Sequence, residues 1–499
     1  MVDAPYTATV QEVHQVVVHL LCAALDTAAA RPRVAGGAPM TRVTVVGDAL
    51  LDRDLEGVVE RICPDAPVPV FDTGAERARP GGAALAAALL AADGDDVVLV
   101  TALGADRPGR ELLDLLDAVG VHVVDLGLRG PTPETLRVRA GGQSLLRLDR
   151  GGPPSPLGPL VDRGRAALAA ADAVLVSDYG RGLAAQSDVR EALTDLTRAA
   201  VVWDPHRHGP ESVAGIRLAT PNGSEATAAC PTVDATGLVA DAARAENLAA
   251  RWQAAVVITL GRRGALLAGH GGPPLVVLPP REVDGDACGA DRFAGAAALA
   301  LARGAVLSEA VEAAVATASD FVAAGVSGFR GFSGAATASP AARPWPGRSS
   351  SAAVVAAVRA AGGTVVATGG CFDLLHAGHV ATLRAARRLG DCLIVCLNGD
   401  ASVRRLKGPD RPLQSEGDRA EVLAALDCVD AVEVFDDDTP LVVLERLRPD
   451  VFVKGGDYAV VDLPEAATLA HWGGQAVVVP YLAGRSSSRL IEEARHVPS

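Results

Sequence analysis

The chain has no positive balance of charge. Its 499 residues carry a net charge of −14, which argues against broad, sequence-independent binding to a nucleic-acid backbone. Any anionic ligand must be met by local devices: backbone N–H groups, helix N-termini and a few placed cations. No apolar run reaches the roughly 18 to 20 residues that a membrane span requires, so no membrane partner is expected. No Lys or Arg precedes the apolar stretch of "MVDAPYTATVQEVHQVVVHLLCAALDTAAARPRV", which sets the start apart from a secretory signal. The cysteines, at 22, 63, 230, 288, 371, 392, 396 and 428, lack paired metal-ligand spacing, and the expectation is reduced thiols in the cytoplasm. Lysine is nearly missing too, since all basic residues but Lys407 and Lys454 are arginine. A lysine retained in such a composition suits a position that needs a compact point charge rather than a planar fork.

What is present is length and alternation. Residues 1–40 read as a non-catalytic extension, helical from about 9 to 30, and a strand pattern starts directly after Met40. From Thr41, β-branched runs ("VTVVGD", "DVVLVTALG", "AVLVSDYG", "AVVWDPH", "AVVITLG") alternate with Ala/Leu-rich helical stretches such as "GGAALAAALLAA" and "GRELLDLLDAVG". That pattern predicts an α/β domain over 41–332, with a mostly parallel sheet, helices on both faces and a site at the carboxyl ends of the strands. The Pro-, Ser-, Gly- and Ala-rich stretch 333–351 reads as a linker, and a second, smaller α/β series fills 352–499.

In the second series, "TVVATGGCFDLLHAGHVATLRAARRLG" reads as strand, glycine turn and helix. His376 and His379 share one face of the helix start, and small Ala377 and Gly378 let a ligand approach the backbone, as in an anion site for nucleotide phosphates. An isolated pair of this kind more often caps and packs. Here Gly370, Cys371, Phe372 and Asp373 precede it, and "GxFDxxHxGH" in this setting resembles the nucleotidyltransferase superfamily of adenylyl- and cytidylyltransferases. Arg404, Arg405, Lys407 and Arg411 lie on a segment suited to closing over phosphates. Lys454, Gly455, Gly456 and Asp457 end a strand, and Ser486, Ser487 and Ser488 precede a helix. A sugar phosphate is already an anionic nucleophile. Adenylyl transfer to it therefore needs in-line positioning and positive charge, assigned here to His376, His379 and Lys407, with a divalent ion across the triphosphate.

A sugar hydroxyl, by contrast, needs a base. In the first series Asp291, after a glycine turn and at a helix start, is the candidate, with the N–H groups around Gly289 and Ala290 facing the transferred phosphoryl group. An Asp at a helix start is by itself more often a cap. The context decides: "RPGGAALAAALLA", "SDYGRG", "WDPH", "TPNGSEA", "TLGRRGALL" and "DACGADRFAG" follow the order and spacing of ribokinase-like carbohydrate kinases. That resemblance implies a three-layer kinase domain followed by a smaller Rossmann-like one. It places Asn222, Gly223, Ser224 and Glu225 on the nucleotide and Mg²⁺ side, Glu225 toward the metal, and Thr259, Gly261 and Gly264 at the ATP-binding strand turn. Asp48, Asp52, Gly81 and Gly82 would face the sugar, with Asp178 and Arg181 near the phosphates.

Together the halves resemble the bifunctional heptose-7-phosphate kinase/heptose-1-phosphate adenylyltransferase family. "VVGDALLDRDLEGVVERICPDAPVPVF" and "LLRLDR" look like that family's sugar-domain segments. The resemblance implies phosphorylation of heptose 7-phosphate at O1, then AMP transfer from a second ATP to heptose 1-phosphate, with ADP-heptose as product, Mg²⁺ as cofactor and a homodimer formed through the kinase domain. The alternative is an adenylyltransferase carrying a pseudokinase or sugar-phosphate scaffold. Two departures bear on it. The family's turn runs Asp, two residues, Gly-Ala-Gly, then the catalytic Asp, whereas this chain has Asp286, Ala287, Cys288, Gly289, Ala290 and Asp291, one glycine fewer. Leu85 stands where such kinases usually carry an asparagine.

Overall fold

A computed structural model describes residues 40–141, 143–233, 237–269, 272–280, 289–324, 350–456 and 463–480. The expected helix of the N-terminal extension, nearly all of the linker, and Asp457, Ser486, Ser487 and Ser488 lie outside them, as does the turn 286–288. The β-branched runs of the first series form β1 (Arg42–Gly47), β2 (Ala49–Ile62), β3 (Pro69–Gly82), β4 (Asp96–Thr101), β5 (His122–Asp125), β6 (Glu134–Ala140), β7 (Gln143–Arg150), β8 (Ala173–Ser177), β9 (Ala200–Asp204), β10 (Leu218–Ala219), β11 (Ala255–Thr259), β12 (Ala265–Ala268) and β13 (Leu275–Val277). Those of the second form β14 (Val365–Gly370), β15 (Cys392–Asn398), β16 (Ala431–Phe435), β17 (Val451–Gly456) and β18 (Gln475–Pro480).

The two series share one sheet. Its 14 strands run in the order β16-β15-β14-β17-β18-β13-β12-β11-β10-β9-β8-β1-β4-β5. Within it β12 alone opposes its neighbours, so the other strands carry their carboxyl ends to one edge. The series meet where Leu275 of β13 pairs in parallel with Val478 of β18, whose N–H donates to the Pro274 carbonyl at 3.1 Å. Sequence pattern alone predicts two parallel sheets. It does not reveal that two edge strands close on each other.

Alternation along the strands sends side chains to two apolar layers. Val43 and Val45 of β1 and Leu175 of β8 pack with the helices Ala83–Ala92, Gly289–Ala302 and Leu307–Ala324. Val46, Val174 and Val176 face the helices Asp162–Ala170, Ser187–Thr194 and Gly237–Trp252 on the other side. A separate sheet, ordered β3-β2-β6-β7, projects from the first series. Every residue of its edge strand β7 is exposed, with Leu145, Leu146 and Leu148 among them.

Candidate active sites

The carboxyl ends of β1, β8 and β9 and the root of the projecting sheet converge on Asp291. This carboxylate is 5% exposed, in the first turn of the helix Gly289–Ala302. The helix begins two residues before Asp291, so Gly289 and Ala290, expected as turn, belong to the helix start, where N–H groups have no intrahelical acceptor. Burial pushes the Asp291 carboxyl up to about 7; the Tyr179 hydroxyl, donating at 2.7 Å, and the charge of Arg79 pull it down, while Asp52 pushes it further up.

Asp52 and Asp48 do different work. Asp52, on β2, accepts from Arg79 at 2.9 Å and Arg137 at 3.2 Å, and it lies under Gly81. Asp48 turns its carboxylate onto the loop after β8, accepting from the N–H groups of Tyr179 (3.2 Å), Arg181 (2.9 Å) and Leu183 (3.2 Å). Gly82 sits at φ +59°, where a side chain would meet the Asp48 carbonyl. Asp178 is buried and accepts from Gly180 N–H, and burial, with Asp48 nearby, raises its carboxyl to about 6. Arg181 reaches the Gly152 carbonyl at 3.0 Å. Leu85, at the usual asparagine position, packs with Leu89 and Phe321 in an apolar cluster.

Among the residues expected on the nucleotide side, Asn222 caps the helix Gly223–Ala229. Its side chain accepts from Ser224 and Glu225 N–H, and its own N–H donates to Glu225 at 2.8 Å. A bridge joins Asn222 to Thr259, which brings this cap to the end of β11. Gly261 and Gly264 follow at φ +59° and +85°, and a Cβ on Gly264 would stand 2.0 Å from the Val277 carbonyl. No group of three or more His, Cys, Asp or Glu among the described residues stands ready to cage a metal. Mg²⁺ needs only one or two carboxylates besides the phosphates and water, and Glu225, with one oxygen committed to Asn222 and its carboxyl raised by burial, fits that part.

In the second series β14 ends in Gly369 and Gly370, and Phe372 takes φ +45° to turn the chain into the helix Ala377–Arg387. His376 is the cap, accepting from His379 N–H at 3.4 Å, and the two rings stack at 3.7 Å, with Phe372 edge-on to His379. Burial, the facing His376 and the charge of Lys407 lower His379 to about 4, so it is neutral at ordinary pH and Lys407 lies within its field. Lys407 is exposed at the end of the helix Asp400–Lys407. Arg404 and Arg405 turn to Asp400 and Asp438. Arg411 turns inward to Asp373, which also accepts from Leu413 N–H at 2.6 Å; this pair shapes the loop after that helix. Lys454, two residues before the end of β17, lies beside Glu465 at 3.5 Å, and Gly455 lets Thr382 approach. Cys371 lies near Asn398, its sulfur 3.8 Å from the amide oxygen.

Three residues not singled out in the sequence belong to these sites. Tyr179 and Asp204 lie inside the quoted "SDYGRG" and "WDPH"; burial and the charges of Asp291, Glu225 and Asp178 raise Asp204 well above the usual range. Arg419 is fully buried. It donates to the carbonyls of Cys371, Asn398 (2.9 Å) and Gln414 (3.1 Å) and to Asp400 (2.7 Å), fastening the ends of β14 and β15 to the loop.

This fold with these two sites defines a carbohydrate kinase joined to a nucleotidyltransferase. Residues 40–324 match the pfkB family carbohydrate kinases and residues 367–493 the cytidylyltransferase-like family. The Streptomyces coelicolor protein named Bifunctional protein HldE is 53% identical over 465 residues, covering 91% of this chain and 96% of its own length. Its namesake in Azorhizobium caulinodans is 39% identical over 475 residues, covering 91% and 98%. The solved structure of Arabidopsis thaliana ribokinase complexed with ribose and ATP aligns with 57% of this chain and 93% of its own, at 20% identity and a TM-score of 0.46. The chain belongs to the HldE bifunctional protein family. It is a bifunctional enzyme, a sugar kinase and an adenylyltransferase.

Proposed function

We propose that residues 41–332 phosphorylate heptose 7-phosphate at O1 with ATP, and that residues 352–499 transfer AMP from ATP to heptose 1-phosphate, releasing pyrophosphate and giving ADP-heptose. The observation that carries the kinase half is the buried Asp291 carboxylate, raised to about 7, at the mouth of a helix. A base of that strength takes a hydroxyl proton near neutral pH. The helix-start N–H groups from Gly289 to Asp291 present partial positive charge to the phosphoryl group in flight. Asp52, Gly81 and Gly82 line the sugar side, and Asp48, Asp178 and Arg181 shape the loop that closes it. Asn222 to Glu225, Thr259, Gly261 and Gly264 take the nucleotide. Mg²⁺ held by Glu225 and the phosphates would supply charge neutralisation.

In the transferase half the nucleophile is a phosphate oxygen, so no base is required. His376 donates a hydrogen bond to the phosphates, and neutral His379, whose single N–H goes to the Leu374 carbonyl, stacks on the His376 ring and holds it there. Lys407 supplies a point charge, and Gly370 to Asp373, Arg411, Lys454, Gly455, Asp457 and Ser486 to Ser488 complete the nucleotide site. Free thiols at the described cysteines are in keeping with a cytoplasmic enzyme. A second copy is the partner suited to the exposed β7 edge and the apolar Val58, Val59 and Ile62 on β2 of the same sheet, which together leave backbone donors and apolar surface uncovered.

Two assays on one preparation test this. Heptose 7-phosphate with ATP and magnesium should release ADP, and heptose 1-phosphate with ATP should release pyrophosphate. Pyrophosphate without ADP would leave an adenylyltransferase carrying a pseudokinase.

A further inference from the structure

The loop that follows β8 carries a tyrosine whose place in the kinase site is built with care. Asp48 receives three N–H groups from this loop, those of Tyr179, Arg181 and Leu183, within 3.2 Å. Gly180 and Gly182 turn it at φ +70° and +113°. A Cβ on Gly180 would stand 2.4 Å from His206 Nδ1, so the imidazole lies directly against the loop. A loop fixed at both oxygens of a buried carboxylate and backed by a ring delivers its side chain to one place. That place is Asp291: the Tyr179 hydroxyl donates to Oδ1 at 2.7 Å, across 112 residues of sequence.

We propose that Tyr179 is the positioning residue of the kinase base, holding one oxygen of Asp291 so that the other faces the sugar hydroxyl in its ionised form. The inference rests on Asp291 acting as that base. In the step itself the O1–H proton passes to the second Asp291 oxygen, the O1–Pγ bond forms, and the bond from Pγ to the bridging oxygen breaks, its electron pair leaving on ADP. Tyr179 keeps its proton throughout. Its hydrogen bond stabilises the carboxylate over the carboxylic acid, in opposition to burial. The other charged groups that act on Asp291 are Asp52 from β2, which opposes ionisation, and Arg79 from β3, which supports it. Asp204 at the end of β9 is itself raised by the Asp291 charge, and all three remain when the phenol oxygen is removed.

Tyr179→Phe deletes that oxygen and keeps the ring. With a donor to the charged form gone, the base becomes harder to ionise, and the acid limb of the kinase kcat/KM profile moves to higher pH. A shift of about one unit, the size expected for one such bond, lowers the kinase about tenfold at pH 6 and leaves it nearly unchanged at pH 9. Pyrophosphate release by the transferase half, measured in the same tube, should not change, which reports on the folding of the variant. A limb that stays in place, or a loss equal at every pH, overturns the positioning role. A loss shared by both activities marks a folding role and overturns it as well. Wild-type protein that releases pyrophosphate but no ADP overturns the kinase reading itself, and the role of Tyr179 with it.

Discussion

The carboxylate of Asp52 lies beneath the α-carbon of Gly81, so that a Cβ on this glycine would stand 2.9 Å from Asp52 Cγ and 2.5 Å from Leu50 Cδ1. The two residues sit on the paired strands β2 and β3, where Leu50 is directly opposite Gly81. Gly81→Ala must therefore push aside a carboxylate that Arg79 and Arg137 hold in place. Overpacking of this kind costs about 1 to 3 kcal/mol of stability unless the carboxylate shifts, and a shifted carboxylate no longer meets the sugar as before. The expected outcome is a raised KM for the sugar phosphate in the kinase assay with the transferase untouched. An unchanged KM would separate Asp52 from the sugar.

The two halves should differ in their response to pH. As the proposed base, Asp291 would act only when ionised, and burial places its carboxyl at about 7, so the kinase rate should rise with pH through that value and fall about tenfold per unit below it. His379 is lowered to about 4, first by burial and then by His376 and Lys407, so it keeps one neutral form above pH 5. No limb from this ring is expected in the transferase profile between pH 5 and 9. Rate profiles of both reactions on one preparation check the pair, and a kinase already at full rate at pH 5 would contradict the assignment of Asp291.

Much of this was legible in the sequence because it depends on local pattern. Strand alternation with Ala/Leu-rich helices yields the layered α/β architecture, and "GxFDxxHxGH" yields a strand, a turn and stacked imidazoles, because a His cap and a His three residues on in the first turn meet on one side of the helix start. Tyr179 and Arg419 were not legible. Each acts through partners distant in sequence, Asp291 112 residues from Tyr179 and the Cys371 carbonyl 48 from Arg419, and no local spacing encodes those meetings. Arg411 illustrates the same limit: its position on a basic loop suggests phosphate but does not disclose that one of its nitrogens is paired with the buried Asp373 carboxylate.

Stability should report on the base as well. A carboxyl whose folded value lies above its unfolded one makes the folded state lose stability as pH rises from the unfolded value, near 4, to the folded value, about 7, after which the loss is complete. Asp291→Asn removes the ionisation. The variant should have no kinase activity, yet melt a few degrees above the wild type at pH 8 and no higher than it at pH 4. Thermal unfolding at both pH values decides this; an equal gain at both would point to packing rather than charge.

Arg419 offers a sharper loss. Its guanidinium serves three carbonyls and Asp400 from a fully buried position, and removing one partner of such a buried arrangement costs about 3 to 5 kcal/mol. Arg419→Met should abolish pyrophosphate release and lower the melting temperature. Arg419→Lys should do nearly the same, because a single ammonium cannot present the planar fork that meets these acceptors together. Retention of the transferase rate by the lysine variant would reduce Arg419 to a charge.

The join between the halves gives the last test. Leu275 and Val478 are 0% and 3% exposed, and on either side of the sheet the apolar layers run from the first series into the second without a break. Domains tied by a linker alone unfold separately, whereas a shared sheet and shared apolar layers make the opening of one half expose the other. Heating should therefore extinguish both activities at the same midpoint. Val478→Asp buries a carboxylate with no partner at the seam, a change worth on the order of 3 kcal/mol, and should lower both midpoints together by about 3 °C, the small shift expected of so large a cooperative unit. If the pyrophosphate-releasing activity alone fell, with the kinase midpoint unmoved, the β13–β18 pairing would carry no coupling, and the halves would be independent enzymes on one chain.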